Sequence, residues 1–151
     1  MSIKFLCKTK YTTVHVAQTV LEAARVMKLN RVDNVVVLSR TEKPVGILTD
    51  RDIVDAVVAE NYSPDALNVE DVMVHEPHVV SENEGIFQTA LIMKQFGVRR
   101  LPVVNEKGRL TGVCALDDLL VLFAEELTLL SEVPWAQRSM EKKRSVRRIA
   151  H

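Results

Sequence analysis

Two cysteines, Cys7 and Cys114, are all that the 151 residues contain, so there is no disulfide framework to read. None is needed, because a chain of this length with 47% hydrophobic residues can bury about 70% of its unfolded surface in one compact domain. No apolar run reaches the roughly 18 residues of a membrane span, and the N-terminus lacks the apolar core of about 7 to 15 residues that marks a secretory signal. A cytoplasmic location without a membrane partner is expected. The glycines are few and stand singly, which leaves no phosphate-cradling loop. Also missing are a nucleophile with an adjacent base, a carboxylate pair and a metal cluster. His75-Glu76-Pro77-His78 sets two histidines three residues apart, but Pro77 breaks the helix that would aim both at one ion, and a solvated loop is expected. No enzyme, no required cofactor and no metal follow from these absences.

Net charge is missing as well: 20 basic residues balance 20 acidic ones. The balance is uneven along the chain. Arg138, Lys142, Lys143, Arg144, Arg147 and Arg148 face only Glu141 from Arg138 onward, a segment of plus five that leaves minus five elsewhere. Such a tail suits nucleic acid, a membrane surface or the acidic part of a partner subunit.

What is present is a stretch that occurs twice. Gly46-Ile47-Leu48-Thr49-Asp50-Arg51-Asp52 runs from a short apolar strand through a hydroxyl and an acid into a helix start. Thr49 with Asp52 three residues on reads as a helix cap, the oxygen accepting from orphan backbone N–H groups. The same residues also read as a small nucleotide site, hydroxyl and free N–H groups toward a phosphate and the carboxylate toward a ribose diol. Gly112-Val113-Cys114-Ala115-Leu116-Asp117-Asp118 repeats the stretch 66 residues later, and the same gapless offset carries Val14 to Val80, Ala24 to Ala90, Met27 to Met93 and Val37 to Val103. This is an internal duplication. Cys7 then matches Met73, Cys114 matches Leu48, and His15 matches Ser81, so the cysteines read as reduced core thiols and His15 carries no ligand role.

In order, Thr13 to Val16 reads as a strand, and Val20, Ala24 and Met27 as the stripe of an amphipathic helix. Asn34 to Leu38 and Pro44 to Leu48 form a hairpin, and Asp50 to Ala59 a second helix stopped near Asn61 to Pro64. Leu67 to His78 is a connector with one helical turn. The second unit repeats the first, except that Leu119, Leu120, Phe123, Leu127 and Leu130 carry the final helix past its counterpart. A partner helix is the natural cover for that apolar surface. After Pro134 a helix to about Met140 and a frayed end are expected, with Trp135 either an interface anchor or packed on its own domain.

The duplicated strand-helix-strand-strand-helix unit with its Gly-apolar-apolar-Thr-x-x-Asp turn resembles a tandem pair of cystathionine-β-synthase (CBS) domains, or Bateman module. Asp71-Val72-Met73 and Arg99-Arg100-Leu101-Pro102-Val103-Val104 add to the likeness. The resemblance implies an α/β (α+β) fold of two repeats about a pseudo-two-fold axis, placed here at 1–69 and 70–128 with a helical, basic extension at 129–151. It also implies a stand-alone, homodimeric, non-catalytic regulatory module that binds an adenosine compound (AMP, ADP, ATP, NAD or S-adenosylmethionine) in the cleft and alters an unidentified partner protein. Carried over by position, Asp52 resembles the ribose-binding acid, Thr49 the phosphate-facing hydroxyl and Gly46 the small residue that admits the ligand. Val32 and Asp33 fall where the base and phosphate region is lined, and Arg99 and Arg100 where the second copy supplies basic residues. Ala115 replaces the hydroxyl in the second copy, so Gly112 and Asp118 mark a degenerate second site. An acid at position 33 favours AMP or a dinucleotide over ATP unless Arg99 or Arg100 reaches across. Two readings compete with this one: a structural dimerisation module without ligand, in which Thr49 and Asp52 only cap a helix, and nucleic-acid binding through the tail, which has one aromatic and no reading motif.

Overall fold

The computed structural model describes residues 2–7 and 11–149, with their side chains except at 139 and 141–149. The chain divides into a body that ends at Leu116 and a helical unit that begins at Asp117. In the body, β1 (Thr13–His15) leads through α1 (Val20–Asn30) into the hairpin of β2 (Asn34–Leu38) and β3 (Pro44–Thr49), and then α2 (Asp50–Ile53). After α3 (Val69–Val72) and β4 (Val74–His75) the order returns as β5 (Val80–Ser81), α4 (Ile86–Phe96), β6 (Arg100–Val104), β7 (Leu110–Ala115) and the start of α5 (Leu116–Ile149). The strands form one sheet ordered β1-β2-β3-β4 and another ordered β5-β6-β7.

The duplication extends to the pairing register. In both copies the first strand lies parallel to the second, which requires a crossover, and α1 and α4 supply it. Asn34 pairs with Thr49 as Arg100 pairs with Ala115, and Val37 pairs with Gly46 as Val103 pairs with Gly112. Even the register shift recurs, at Val37/Leu38 and at Val103/Val104. Around the first sheet Val14, Ala23, Met27, Val35, Val37, Leu48, Val69 and Met73 form a buried cluster.

The leading segments are exchanged between copies. The backbone N–H of Val69 donates to the carbonyl of Gln18 at 2.8 Å, and that of Ile3 donates to the carbonyl of Glu84 at 2.9 Å. These are the same contact 66 residues apart, with the partners crossed. Isolated bridges between Thr19 and Asn68 and between Ser2 and Gly85 repeat the exchange, and Ile3 and Val69 are both fully buried. Each copy therefore completes the core of the other.

Four details depart from the sequence reading. On α1 the buried position is Ala23 rather than Ala24; both lie on one face with Val20, and the sheet meets that face nearer Ala23, as it meets Thr89 on α4. The second helix is α-helical only to Ile53, and Val54–Val58 is a π-helix in which Ala59 N–H donates to the Val54 carbonyl at 2.9 Å. The wider turn carries Val57 inward and leaves Val54 and Val58 exposed. The connector holds a strand, β4, whose two residues pair with Gly46 and Ile47 of β3, so His75 is on a strand and exposed His78 stacks on Phe96 with ring centroids 3.6 Å apart. Finally, α5 passes Pro134 and continues to Ile149. Proline removes one helical hydrogen bond, but the strong helix formers after it and the cations near the helix C-terminus favour continuation.

The two crossover helices end alike, in left-handed residues at Arg31 (φ 54°) and Gly97 (φ 64°). That conformation costs an L-residue with a Cβ roughly 1 kcal/mol or more. Arg31→Gly is expected to stabilise the fold by about 0.5 to 1 kcal/mol, read as a rise of about 1 to 4 °C in the calorimetric unfolding midpoint. An unchanged or lower midpoint would show that Arg31 contributes contacts worth as much as its backbone strain.

Candidate functional site

A cavity of about 230 Å³ lies between the two sheets, lined by Asn34, Val36, Ile47 and Thr49 from the first copy and Arg100, Pro102 and Val113 from the second, with Val98 and Arg99 at one side. Shifting the first set by 66 residues gives 100, 102, 113 and 115, of which the first three line the cavity, so it sits close to the local two-fold of the duplication. Its floor is apolar because β2, β3, β6 and β7 turn alternate side chains to each face. Its rim is asymmetric. The first copy contributes Thr49 and the second contributes Arg99 and Arg100.

Thr49 is the N-cap of α2, with extended backbone at φ −109° and ψ 161°. Its Oγ1 accepts from the Asp52 N–H at 3.1 Å and donates to Asp52 Oδ2 at 2.7 Å, while Asp52 Oδ2 also accepts from the Thr49 N–H at 2.8 Å. The pair thus forms a reciprocal capping box. Both residues are half-buried, so the box stands within reach of solvent at the cavity edge. The start of the helix is fixed further by Asp50 N–H, which donates to the Asp33 carbonyl at 2.9 Å, and the second copy repeats this with Leu116 N–H on the Arg99 carbonyl at 2.8 Å.

Asp33 and Arg100 meet across the copies. Arg100 Nη1 lies 3.4 Å from Asp33 Oδ1, and the Asn34 side-chain amide donates to the same oxygen at 2.5 Å. Arg100 thus meets Asp33 from the other repeat, but both side chains are about half exposed, so water screens the pair and the acid still bears on the cleft.

Of the residues singled out in the sequence, Thr49, Arg99 and Arg100 line the cavity, Asp33 joins them through Arg100, and Asp52 joins them through Thr49. Val32 does not line it, although its counterpart Val98 does. Gly46 has a different neighbour from the one expected: a Cβ there would lie 2.2 Å from Met73 Sδ and 2.9 Å from Met73 Cγ. Its lack of a side chain makes room for Met73. The parity of β3 carries the signal, since Ile47 and Thr49 point to one face and Gly46 and Leu48 to the other. Gly112 is likewise buried in β7, and Asp118 stands in the first turn of α5. The lining residues missed in the sequence, Asn34, Val36, Ile47, Pro102 and Val113, are the same-face neighbours of Thr49 and Arg100 and follow from that parity. Among the described residues no group of three or more His, Cys, Asp or Glu could hold a metal ion, and no helix is long and apolar enough to cross a membrane.

Comparison with known proteins places this architecture. The CBS domain profile matches residues 3–59 and again 69–125. A CBS domain-containing protein of Bacillus subtilis is 34% identical over 120 residues, covering 80% of this chain and 84% of that one. A protein of Methanopyrus kandleri is 32% identical over 103 residues, 68% of this chain and 53% of its own length; of several other curated relatives the chain spans only about a fifth. Among solved structures, a CBS domain protein from Pyrobaculum aerophilum complexed with AMP is 26% identical, with a TM-score of 0.71 over 83% of this chain and 99% of that one. With one unit folded twice in a single register and the profile matched once on each copy, the chain belongs to the CBS domain family and carries a tandem pair.

Proposed function

We propose that this CBS pair is a non-catalytic regulatory module that binds an adenosine nucleotide, AMP foremost, in the cavity between its repeats and acts on a partner protein as a dimer. The observation that carries the reading is the rim of the cavity, which Thr49 of one repeat lines together with Arg99 and Arg100 of the other. Guanidinium donors beside a space with an apolar floor suit a phosphate attached to a less polar body, and the Thr49 hydroxyl would have to turn from Asp52 to join them. The cavity is smaller than the roughly 300 to 1,000 Å³ of sites that enclose a whole ligand. The phosphate and ribose occupy it, and the base lies toward its mouth. Asp33 shares Arg100 with the incoming phosphate, which favours one phosphate over three. The AMP complex of the Pyrobaculum aerophilum relative supports the choice of nucleotide.

One observation favours the competing reading of a structural module without ligand: Thr49 and Asp52 satisfy each other in a complete capping box. A single experiment separates the two. Unfolding is followed with AMP, ADP, ATP, NAD and S-adenosylmethionine, each at about 1 mM, on the wild type and on Asp52→Ala. A ligand of roughly 10 μM affinity stabilises by about 2.7 kcal/mol, a rise of about 5 to 10 °C for a chain of this size. Asp52→Ala is expected to abolish that rise. A variant that is merely less stable by about 1 kcal/mol, with no ligand effect in either protein, would leave helix capping as the role of both residues.

A further inference from the structure

The charge split of the chain is confined to one helix. From the N-terminus to Leu116 there are 14 acidic and 14 basic residues. The imbalance begins with α5. Asp117, Asp118, Glu125, Glu126 and Glu132 give its first half minus five without one Lys or Arg, and the residues from Arg138 to Arg148 give its second half plus five. The first half is also apolar where water would meet it. Leu120, Phe123, Leu127 and Leu130 follow one another at spacings of three and four, the seam that a second helix fills. These four are 41 to 68% exposed, and Val121, Leu129 and Val133 are more than half exposed beside them. Trp135 stands in solvent with the Arg138 guanidinium 5.8 Å over its ring.

We propose that α5 pairs with the α5 of a second copy of this chain, antiparallel, crossing near Val133. The charge pattern selects both occupant and direction. Parallel pairing would set minus five beside minus five and plus five beside plus five. Antiparallel pairing sets each acidic half beside a basic half and opposes the two helix dipoles. Each first half, with its exposed leucines, then lies along a stretch of the partner whose sequence is rich in lysine and arginine, residue types that combine an apolar stem with a cationic head. At about 1.5 Å per residue the 34-residue helix is roughly 50 Å long, enough for both halves to engage. This pairing specifies the surface and direction of the dimer and stands independently of the nucleotide.

The test uses the full chain in a Cys7→Ser background. Light scattering is expected to give twice the chain mass, falling to one chain mass in Leu127→Glu, with helicity by circular dichroism retained because Leu127 is exposed. Replacing Glu125, Glu126 and Glu132 by lysine is expected to do the same, and exchanging the six tail cations for glutamate in that variant to restore the dimer. Under mild oxidation Val133→Cys is expected to give a covalent dimer and Leu120→Cys none. A monomeric wild type that instead binds duplex DNA through the tail, a dimer unaffected by Leu127→Glu, or equal cross-linking at 120 and 133 would each overturn the antiparallel pairing.

Discussion

Leu48→Ala is expected to destabilise the fold by about 3 to 4 kcal/mol, lowering the unfolding midpoint by about 10 °C. Leu48 is fully buried in the cluster with Val14, Val35, Val37 and Met73. Removing three heavy atoms there forfeits their transfer energy and leaves a cavity that the sheet cannot close, because Val35 directly opposite it on β2 is already in register. The duplication supplies an internal control. Cys114 occupies the corresponding place in β7, pairs with Leu101 and is as deeply buried. A thiol is smaller and Cys114→Ala removes one atom, so the loss there is about 1 kcal/mol. Thermal and urea unfolding of the two variants measures the difference. Because the leading segments are exchanged between copies, both variants should unfold in one transition. Two separate transitions in Leu48→Ala would show that the repeats are not cooperative.

The features legible in the sequence were those that a gapless repeat carries twice. The hairpins and the crossover helices stand at a constant offset, so two independent stretches declare each, while the cap at Thr49 rests on one stretch because Ala115 stands at the matching position. Features that one copy holds alone were harder. The two-residue β4 is too short for any alternation to declare it, and its strand character comes from pairing with Gly46 and Ile47. The crossing of Ile3 and Val69 into the other copy is a long-range choice with no local cause. Gly46 illustrates a different failure. Its place in the motif suggested ligand access, while the period of two in β3 already put it on the face opposite Thr49, against Met73. The polar, basic run after Met140 reads as a frayed end, yet α5 continues to Ile149, because lysine and arginine are strong helix formers and suit the C-terminal end of the helix dipole.

Asp33→Arg is expected to reverse the nucleotide preference of the cavity. The duplication motivates the substitution, since Arg99 is the residue that the second copy holds at this position. In the wild type the Asp33 carboxylate takes up Arg100 at 3.4 Å, so a phosphate must compete for that guanidinium, and every further phosphate brings more negative charge toward the acid. The variant changes the local charge by two units and frees Arg100. At about 6 Å and an effective dielectric constant of about 40, between surface and bulk values, two such units contribute about 3 kcal/mol to a facing phosphate charge. One facing phosphate charge then gains on the order of a hundredfold, so AMP affinity should rise by about that much and ATP affinity by more, because each further phosphate adds negative charge facing position 33. Titration calorimetry of both nucleotides against both proteins reads the two changes separately, and Asp33→Asn should fall midway. The gain should shrink with added salt, as expected for a half-exposed cluster. If AMP remains the tighter ligand in Asp33→Arg, position 33 does not face the phosphates, and the asymmetry of the rim has another purpose than counting charge.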